Sequence, residues 1–297
     1  MALFTHTVCP LCGGNHLQRE MKVTDHSNSK EDFELYRCST CSFLFTQNAP
    51  AAEEIGPYYQ SENYISHSDT KEGFVNKAYH MVRDFMLGRK YTLVKKLSTG
   101  KRLLDMGCGT GYFPNYMKNK GFDVKGVEID SGARKFGIEK FGLDIVPPET
   151  VLNQSYAETY DVITLWHVLE HIYDLDGYMQ RLKSLLDDKG YLVIAVPNSD
   201  SLDAKQYKSY WAAYDVPIHL WHFTPKTLTQ LAEKHGFEVT DISSLPFDPF
   251  YISMLSSKYK KSALSVIRGA FVGGLSFLNA LVNTKKASSP IYILKKK

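Results

Sequence analysis

Three groups of residues in this 297-residue chain have types and spacings suited to chemistry. The first is Asp105-Met-Gly-Cys-Gly-Thr-Gly111, where an apolar pair, Leu103-Leu104, ends in an acid and is followed by glycines at 107, 109 and 111. Glycines at alternate positions permit positive φ and carry no Cβ, so a ligand can lie against the turn and the first amides of the next helix. Tyr112 makes the spacing G-x-G-x-G, not the G-x-G-x-x-G of dinucleotide enzymes. The second group is Trp166-His-Val-Leu-Glu-His171 together with Trp211-Ala-Ala-Tyr-Asp-Val-Pro-Ile-His-Leu-Trp-His222, which supplies His167, His219 and His222 as candidate bases near neutral pH. The third is two C-x-x-C pairs, Cys9/Cys12 and Cys38/Cys41, which read as metal ligands in a reducing compartment.

These groups need a scaffold, and from about residue 100 strand and helix signals alternate regularly, the sign of a parallel sheet covered on both faces. Strand candidates are 102–106, 123–128, 143–146, 161–165, 191–196 and 238–242, with a last one at 291–294 after a long insertion at 246–290. The expected fold is α/β, a Rossmann-like seven-stranded sheet with an apolar helical insertion before its last strand. An apolar pattern over 74–97 predicts an entry helix, with a possible break at Gly88. The chain thus divides into a cysteine module at 1–45, a linker and entry helix capping the cofactor site at 46–98, and the main domain at 99–297. Both histidine segments fall at carboxyl ends of strands, where open α/β sheets bind ligands.

The second strand ends in Gly126-Val-Glu-Ile-Asp130, so Glu128 stands at the tip of the strand next to Asp105. A carboxylate there can accept from both hydroxyls of a ribose. Asp105 separates two kinds of cofactor. A pyrophosphate favours an uncharged loop, whereas S-adenosylmethionine brings a cationic amino group that a carboxylate complements. Asp105, Gly107, Gly109, Gly111, Glu128 and Ile129 are therefore the cofactor-binding candidates. Asp105-Met-Gly-Cys-Gly-Thr-Gly111, Glu128 and Tyr160-Asp-Val-Ile-Thr-Leu-Trp-His-Val-Leu-Glu-His171 resemble class I S-adenosylmethionine-dependent methyltransferases of the ubiquinone-biosynthesis O-methyltransferase type. The likeness covers roughly residues 100–200. A zinc ribbon ahead of such a domain also resembles the deoxysugar C-methyltransferases and their relatives.

The resemblance implies methyl transfer to oxygen or carbon. The enzyme then aligns the nucleophile and, for a hydroxyl or carbon acid, removes its proton. Three readings stay open: His167 as base, His219 or His222 as base, or positioning alone. His167-Val-Leu-Glu-His171 also has the H-x-x-E-H spacing of a zinc peptidase family, but a place directly after a central strand fits the cofactor sheet better.

C-x2-C-x25-C-x2-C has the two-knuckle form that wraps one structural zinc. Such a module could serve an RNA methyltransferase. Residues 1–45 carry four basic and five acidic side chains, however, a poor surface for phosphates. The charge argues instead for a small-molecule, glycan or lipid-linked acceptor. A non-catalytic cofactor-binding scaffold is the remaining alternative.

The formal net charge of +3 conceals nine Lys or Arg and no acid in residues 251–297, which leaves −6 on residues 1–250. The basic tail contains the apolar run Ser262–Asn283. Residues 258–286 are expected to cover the active-site mouth as a lid or homodimer contact, or to lie on an anionic membrane surface. No basic start leads into an apolar run, so a cytoplasmic protein is expected, with peripheral contact at the inner face of the membrane as the variant.

Overall fold

The first fifty residues build two small sheets around the four cysteines. The structure is a computed structural model and describes residues 2–59, 74–262 and 264–297, with side chains from residue 81 in the first helix. Strand β1 (Leu3–Phe4) pairs antiparallel with β5 (Ala49–Pro50), and between them β2 (Leu17–Thr24), β3 (Asp32–Cys38) and β4 (Leu44–Gln47) form a meander. Phe33 and Leu35 alternate inward along β3, as a half-buried strand requires. The fourth strand of this sheet comes from far along the chain. Trp221 stands opposite Phe45 and His222 opposite Leu44. Phe43 and Phe45 share a buried cluster with Leu104, Leu165, Trp221 and Phe223. The module therefore does not stop at residue 45. It closes at Pro50 and borrows a strand from the second histidine segment.

Helix α1 (Phe74–Leu97) runs on through Gly88 without a break. A glycine in a helix interior costs only about 1 kcal/mol, and burial of Leu87 and Val94 on either side offsets it. Residues 60–73 of the expected linker lie outside the described residues.

The main domain then runs β6 (Arg102–Met106), α2 (Tyr112–Asn119), β7 (Asp123–Val127), α3 (Ser131–Phe141), β8 (Asp144–Val146), α4 (Pro148–Leu152), β9 (Tyr160–Trp166), α5 (Leu175–Leu185), β10 (Leu186–Ala195), α6 (Leu202–Tyr207), the strand lent to the small sheet, β11 (Trp221–His222), α7 (Pro225–Lys234) and β12 (Phe237–Ser244). The chain ends with α8 (Asp248–Tyr259), α9 (Ser265–Val282) and β13 (Pro290–Lys296). Asp130, Asp174, Ser201 and Thr224 each cap a helix by accepting a backbone N–H of its first turn.

The sheet order is β12-β13-β10-β9-β6-β7-β8. The strands from β10 to β8 are parallel, and β13 runs antiparallel to both neighbours. Its direction follows from its connection, because β12 and β13 form a hairpin whose loop has grown into α8 and α9. Tyr160 to Leu165 of β9 are all buried, as befits a central strand. The order reverses between β6 and β9, so a crevice opens at their carboxyl ends.

Helices α8 and α9 pack backbone to backbone. A Cβ on Gly269 would lie 2.5 Å from Met254 Cα, and one on Gly273 would lie 2.8 Å from Phe250 Cα. Buried Asp203 ties the pair to the sheet. It accepts from Trp211 Nε1 (2.7 Å), Ser276 Oγ (2.7 Å) and Ser288 Oγ (2.6 Å). The opposite face of α9, with Ile267, Phe271, Leu278 and Val282, is exposed. By length and composition α9 could cross a membrane, with a mean hydropathy of 1.5. Its glycine and serine face is already packed against protein.

Candidate cofactor and acceptor site

The loop after β6 adopts the backbone its glycines permit: φ is 70° at Gly107, 54° at Gly109 and 84° at Gly111. A Cβ on Gly107 would come 2.4 Å from Val168 Cγ2, and one on Gly111 2.7 Å from Leu143 Cδ1. Gly109 differs, because nothing lies within 4 Å of its Cβ direction. A side chain there would fill the cradle that the loop leaves for a ligand.

Glu128 braces this loop. Its Oε2 accepts from the Gly109 N–H at 2.8 Å and its Oε1 from the Asp130 N–H at 2.9 Å. Each carboxylate oxygen keeps a lone pair for a diol. Ile129, next to it, is 78% exposed, an apolar side chain left open at the crevice. Asp105 is buried and accepts from Thr164 Oγ1 at 2.6 Å. Burial pushes its carboxyl up to about 7, against the pull of the Thr164 hydroxyl and the positive charge of Lys90.

His167 follows β9 directly, with φ 59° and its N–H donating to Ala195 O. Its Nε2 lies 3.1 Å from Asp248 Oδ2 and its Nδ1 3.4 Å from Glu170 Oε1. Burial works against its charge, but the two carboxylates outweigh it and push the imidazole up to about 10. The two carboxylates thus favour the protonated form of the imidazole.

His219 and His222 are buried, which pulls both below the usual histidine range. Nδ1 of His219 donates to Ala213 O at 2.9 Å, which leaves the Nε2 lone pair free to accept a proton. His222 Nε2 lies 3.0 Å from Thr46 Oγ1, and that hydroxyl donates to His219 O at 2.7 Å. His171 meets His219 edge to face, and its Nδ1 lies 3.0 Å from Ile218 O and 3.2 Å from the Tyr59 hydroxyl. Donor atoms of Glu170, His171 and His219 lie within 4.8 Å of one another, a set that could hold a divalent cation.

The four cysteines come together as their spacing predicts. Cys9 Sγ lies 3.5 Å from Cys41 Sγ and Cys12 Sγ 3.6 Å from Cys38 Sγ, and all four sulfurs fall within 4.8 Å of one another. A disulfide needs about 2.05 Å, whereas four thiolates about 2.3 Å from one zinc stand about 3.8 Å apart. The two knuckles repeat one turn. Gly13 N donates to Cys9 O and Ser42 N to Cys38 O, each at 2.8 Å, and Gly13 and Ser42 both have positive φ. Cys108 sits apart, against Gly126.

Comparison with known proteins matches this architecture. A family model described as a methyltransferase domain covers residues 79–242, more than half of the chain. The chain belongs to this methyltransferase family. Among its relatives are the ubiquinone biosynthesis O-methyltransferases of Aeromonas salmonicida (strain A449), 26% identical over 54% of this chain and 71% of that protein, and of Dinoroseobacter shibae (strain DSM 16493 / NCIMB 14021 / DFL 12), 29% identical over 50% and 65%. The magnesium protoporphyrin IX methyltransferase of Synechocystis PCC 6803, solved with bound SAH, shares the fold at a TM-score of 0.52 and 14% identity, over 81% of this chain and 97% of that one.

The open space at Gly109, between the carboxylates of Asp105 and Glu128, suits a ligand that carries an amine and a ribose. The cofactor candidates gather on one loop and one strand tip, while the methyltransferase places His219 and His222 in a separate wall beside the cysteine module. Asp248, Thr46, Lys90 and Trp166 were not singled out from sequence. Only the fold brings Asp248 to His167, Thr46 to His219 and His222, and Lys90 to the Trp166 ring, and the signal in the sequence was the position of Trp166 beside His167.

Proposed function

We propose that the methyltransferase moves the sulfonium methyl of S-adenosylmethionine to oxygen or carbon of a small-molecule, glycan or lipid-linked acceptor. The observation that carries this reading is the cradle at Gly109, braced by Glu128 on the glycine loop that follows Asp105. The cofactor supplies an electrophilic methyl whose bond to sulfur breaks as the bond to the acceptor forms. Asp105 takes the amino group, Glu128 the ribose hydroxyls, and Ile129 covers the adenine. Gly107 and Gly111 hold the loop in shape. His219 Nε2 is the best-placed proton acceptor, while His167, held positive, polarises the acceptor. The names of the relatives favour oxygen as the atom methylated.

Cys9, Cys12, Cys38 and Cys41 hold one structural zinc in this reading, and the metal fixes the wall that carries His219 and His222. The exposed face of α9, with Lys258, Lys260 and Lys261 at the hairpin turn, supports a cytoplasmic enzyme that touches an anionic membrane surface peripherally. Incubating the protein with methyl-labelled S-adenosylmethionine and fractionated cell extract tests the acceptor class. Label is expected in the small-molecule, glycan or lipid fraction. Label found only in RNA, or none transferred, contradicts the reading.

A further inference from the structure

A groove of about 1500 Å³ lies between the edge strands of the two larger sheets, β2 on one side and β12 on the other. The turn after α6, the first turns of α7 and the turn after α9 complete its lining. None of the cofactor candidates lines it, and neither do His167, His219 and His222. Seven basic and three acidic side chains do, although residues 1–250 as a whole carry −6.

The acids are already engaged. Glu20 pairs with Arg37, Asp200 pairs with both Lys205 and Lys286, and Asp241 accepts from the Ile242 N–H. Lys22 pairs with Asp32. The ammonium groups of Lys208, Lys226 and Lys285 have no hydrogen-bond or ion-pair partner among the described residues. They come from three separate segments, so only the fold brings them to one groove. Like charges gathered in this way repel one another, and an anion among them offsets the repulsion. A carboxylate offers one charge. A phosphate carries about two near neutral pH and three acceptor oxygens, and lysine binds it as a point charge.

Gln230 adds an independent observation. It follows Lys226 by four residues on α7, so the two share a face, and its Oε1 is buried with no donor among the described residues. A buried carbonyl oxygen left unpaired is costly. A hydroxyl or N–H carried beside the phosphate satisfies it.

We propose that this groove is a second ligand site, for a phosphate or diphosphate ester of the phosphorylated-sugar or nucleotide class. Lys208, Lys226 and Lys285 hold the phosphate oxygens, and Gln230 accepts from the organic part. The site stands apart from the cradle at Gly109, so it does not depend on the cofactor reading. Lys285 follows closely on Val282, which ends α9 at 89% exposure. The ester therefore reaches the groove from solution or as a hydroxyl-bearing lipid headgroup.

The test on the full chain is calorimetric titration with uridine diphosphate and with inorganic diphosphate, together with flotation on phosphatidylglycerol vesicles. Lys208→Gln, Lys226→Gln and Lys285→Gln combined should weaken uridine diphosphate at least about tenfold, the least that a hydrogen bond to a charged group is worth. Lys95→Gln, Lys96→Gln and Lys101→Gln combined remove as much charge elsewhere and should leave it within about twofold. Gln230→Leu should weaken uridine diphosphate about three- to tenfold and inorganic diphosphate by no more than about twofold. Affinity for S-adenosylhomocysteine should stay unchanged in all three variants. Wild-type binding of uridine diphosphate that is lost with the groove lysines assigns a soluble ester. Flotation lost with those lysines, with no uridine diphosphate bound by the wild type, assigns a headgroup. Equal losses in the two triple variants mean general charge attraction, and an equal effect of Gln230→Leu on both anions removes the organic part. Either result overturns the proposal, as does a wild type that binds no uridine diphosphate and floats equally well without the three lysines.

Discussion

Thr46 of the cysteine module and His222 of the main domain share a hydrogen bond of 3.0 Å, and the same Thr46 hydroxyl donates to the carbonyl of His219. One side chain from the N-terminal module thus reaches both histidines of the second segment. The pairing of Trp221 with Phe45 and of His222 with Leu44 fixes the backbone between them. The module is built into the segment that carries both histidines.

It follows that metal loss should act on turnover before it acts on cofactor binding. Cys38→Ser, or removal of zinc with a chelator, is expected to lower the zinc content from one per chain. Turnover should drop at least about tenfold, since misplacing a reacting group by about 1 Å is enough to cost this much. Affinity for S-adenosylhomocysteine should stay within about twofold. Elemental analysis with calorimetry checks this, and a variant that keeps its metal, or loses it without losing turnover, counts against it.

His167 gives a pH prediction with a definite sign. Its folded value of about 10 lies above the usual 6.5, so the folded state holds the proton more tightly than the unfolded chain does. The stability it contributes is fully present below about 6.5 and is lost as pH rises through about 10. Urea unfolding of wild type and His167→Gln should show a gap that is widest in acid and closes toward pH 10. Asp248→Asn should narrow the gap in the same way. A gap that grows with pH would mean that the carboxylates do not hold the proton there.

Much of the sheet was legible because its strands are short apolar runs between turn signals, and each falls within a few residues of its expected limits. The extra length of β10 lies in Leu186–Gly190, where polar residues hid an irregular start. The borrowed strand Trp221–His222 was not legible, since its partner lies some 176 residues earlier and only folding joins them. The state of His167 was hidden for the same reason. Glu170 is visible at helical spacing, but Asp248 arrives from the start of the inserted hairpin. Conversely, Gly88 looked like a break because local propensity cannot weigh the burial of Leu87 and Val94.

The exposed face of α9 should govern membrane contact. Burying a Phe or Leu side chain contributes about 1.5–3 kcal/mol, and a basic residue near an anionic surface about 1 kcal/mol. The protein is expected to float with anionic vesicles at low salt and much less with neutral ones. Phe271→Asp combined with Leu278→Asp should abolish flotation without changing affinity for S-adenosylhomocysteine. A wild-type protein that stays at the bottom, and whose charged variant splits a dimer on sizing with light scattering, would assign the face to self-association.

The central claim is that Asp105, Glu128 and the glycine loop bind S-adenosylmethionine, and calorimetric titration with S-adenosylhomocysteine across pH 6 to 8.5 tests it most directly. One molecule per chain is expected. Since Asp105 must be ionised to pair with the amino group and titrates at about 7 when free, affinity should be flat above about pH 7.5. It should fall toward tenfold per unit below 7, and Asp105→Asn should bind weakly at every pH. No heat with the wild-type protein, or NAD bound in preference, would contradict the account.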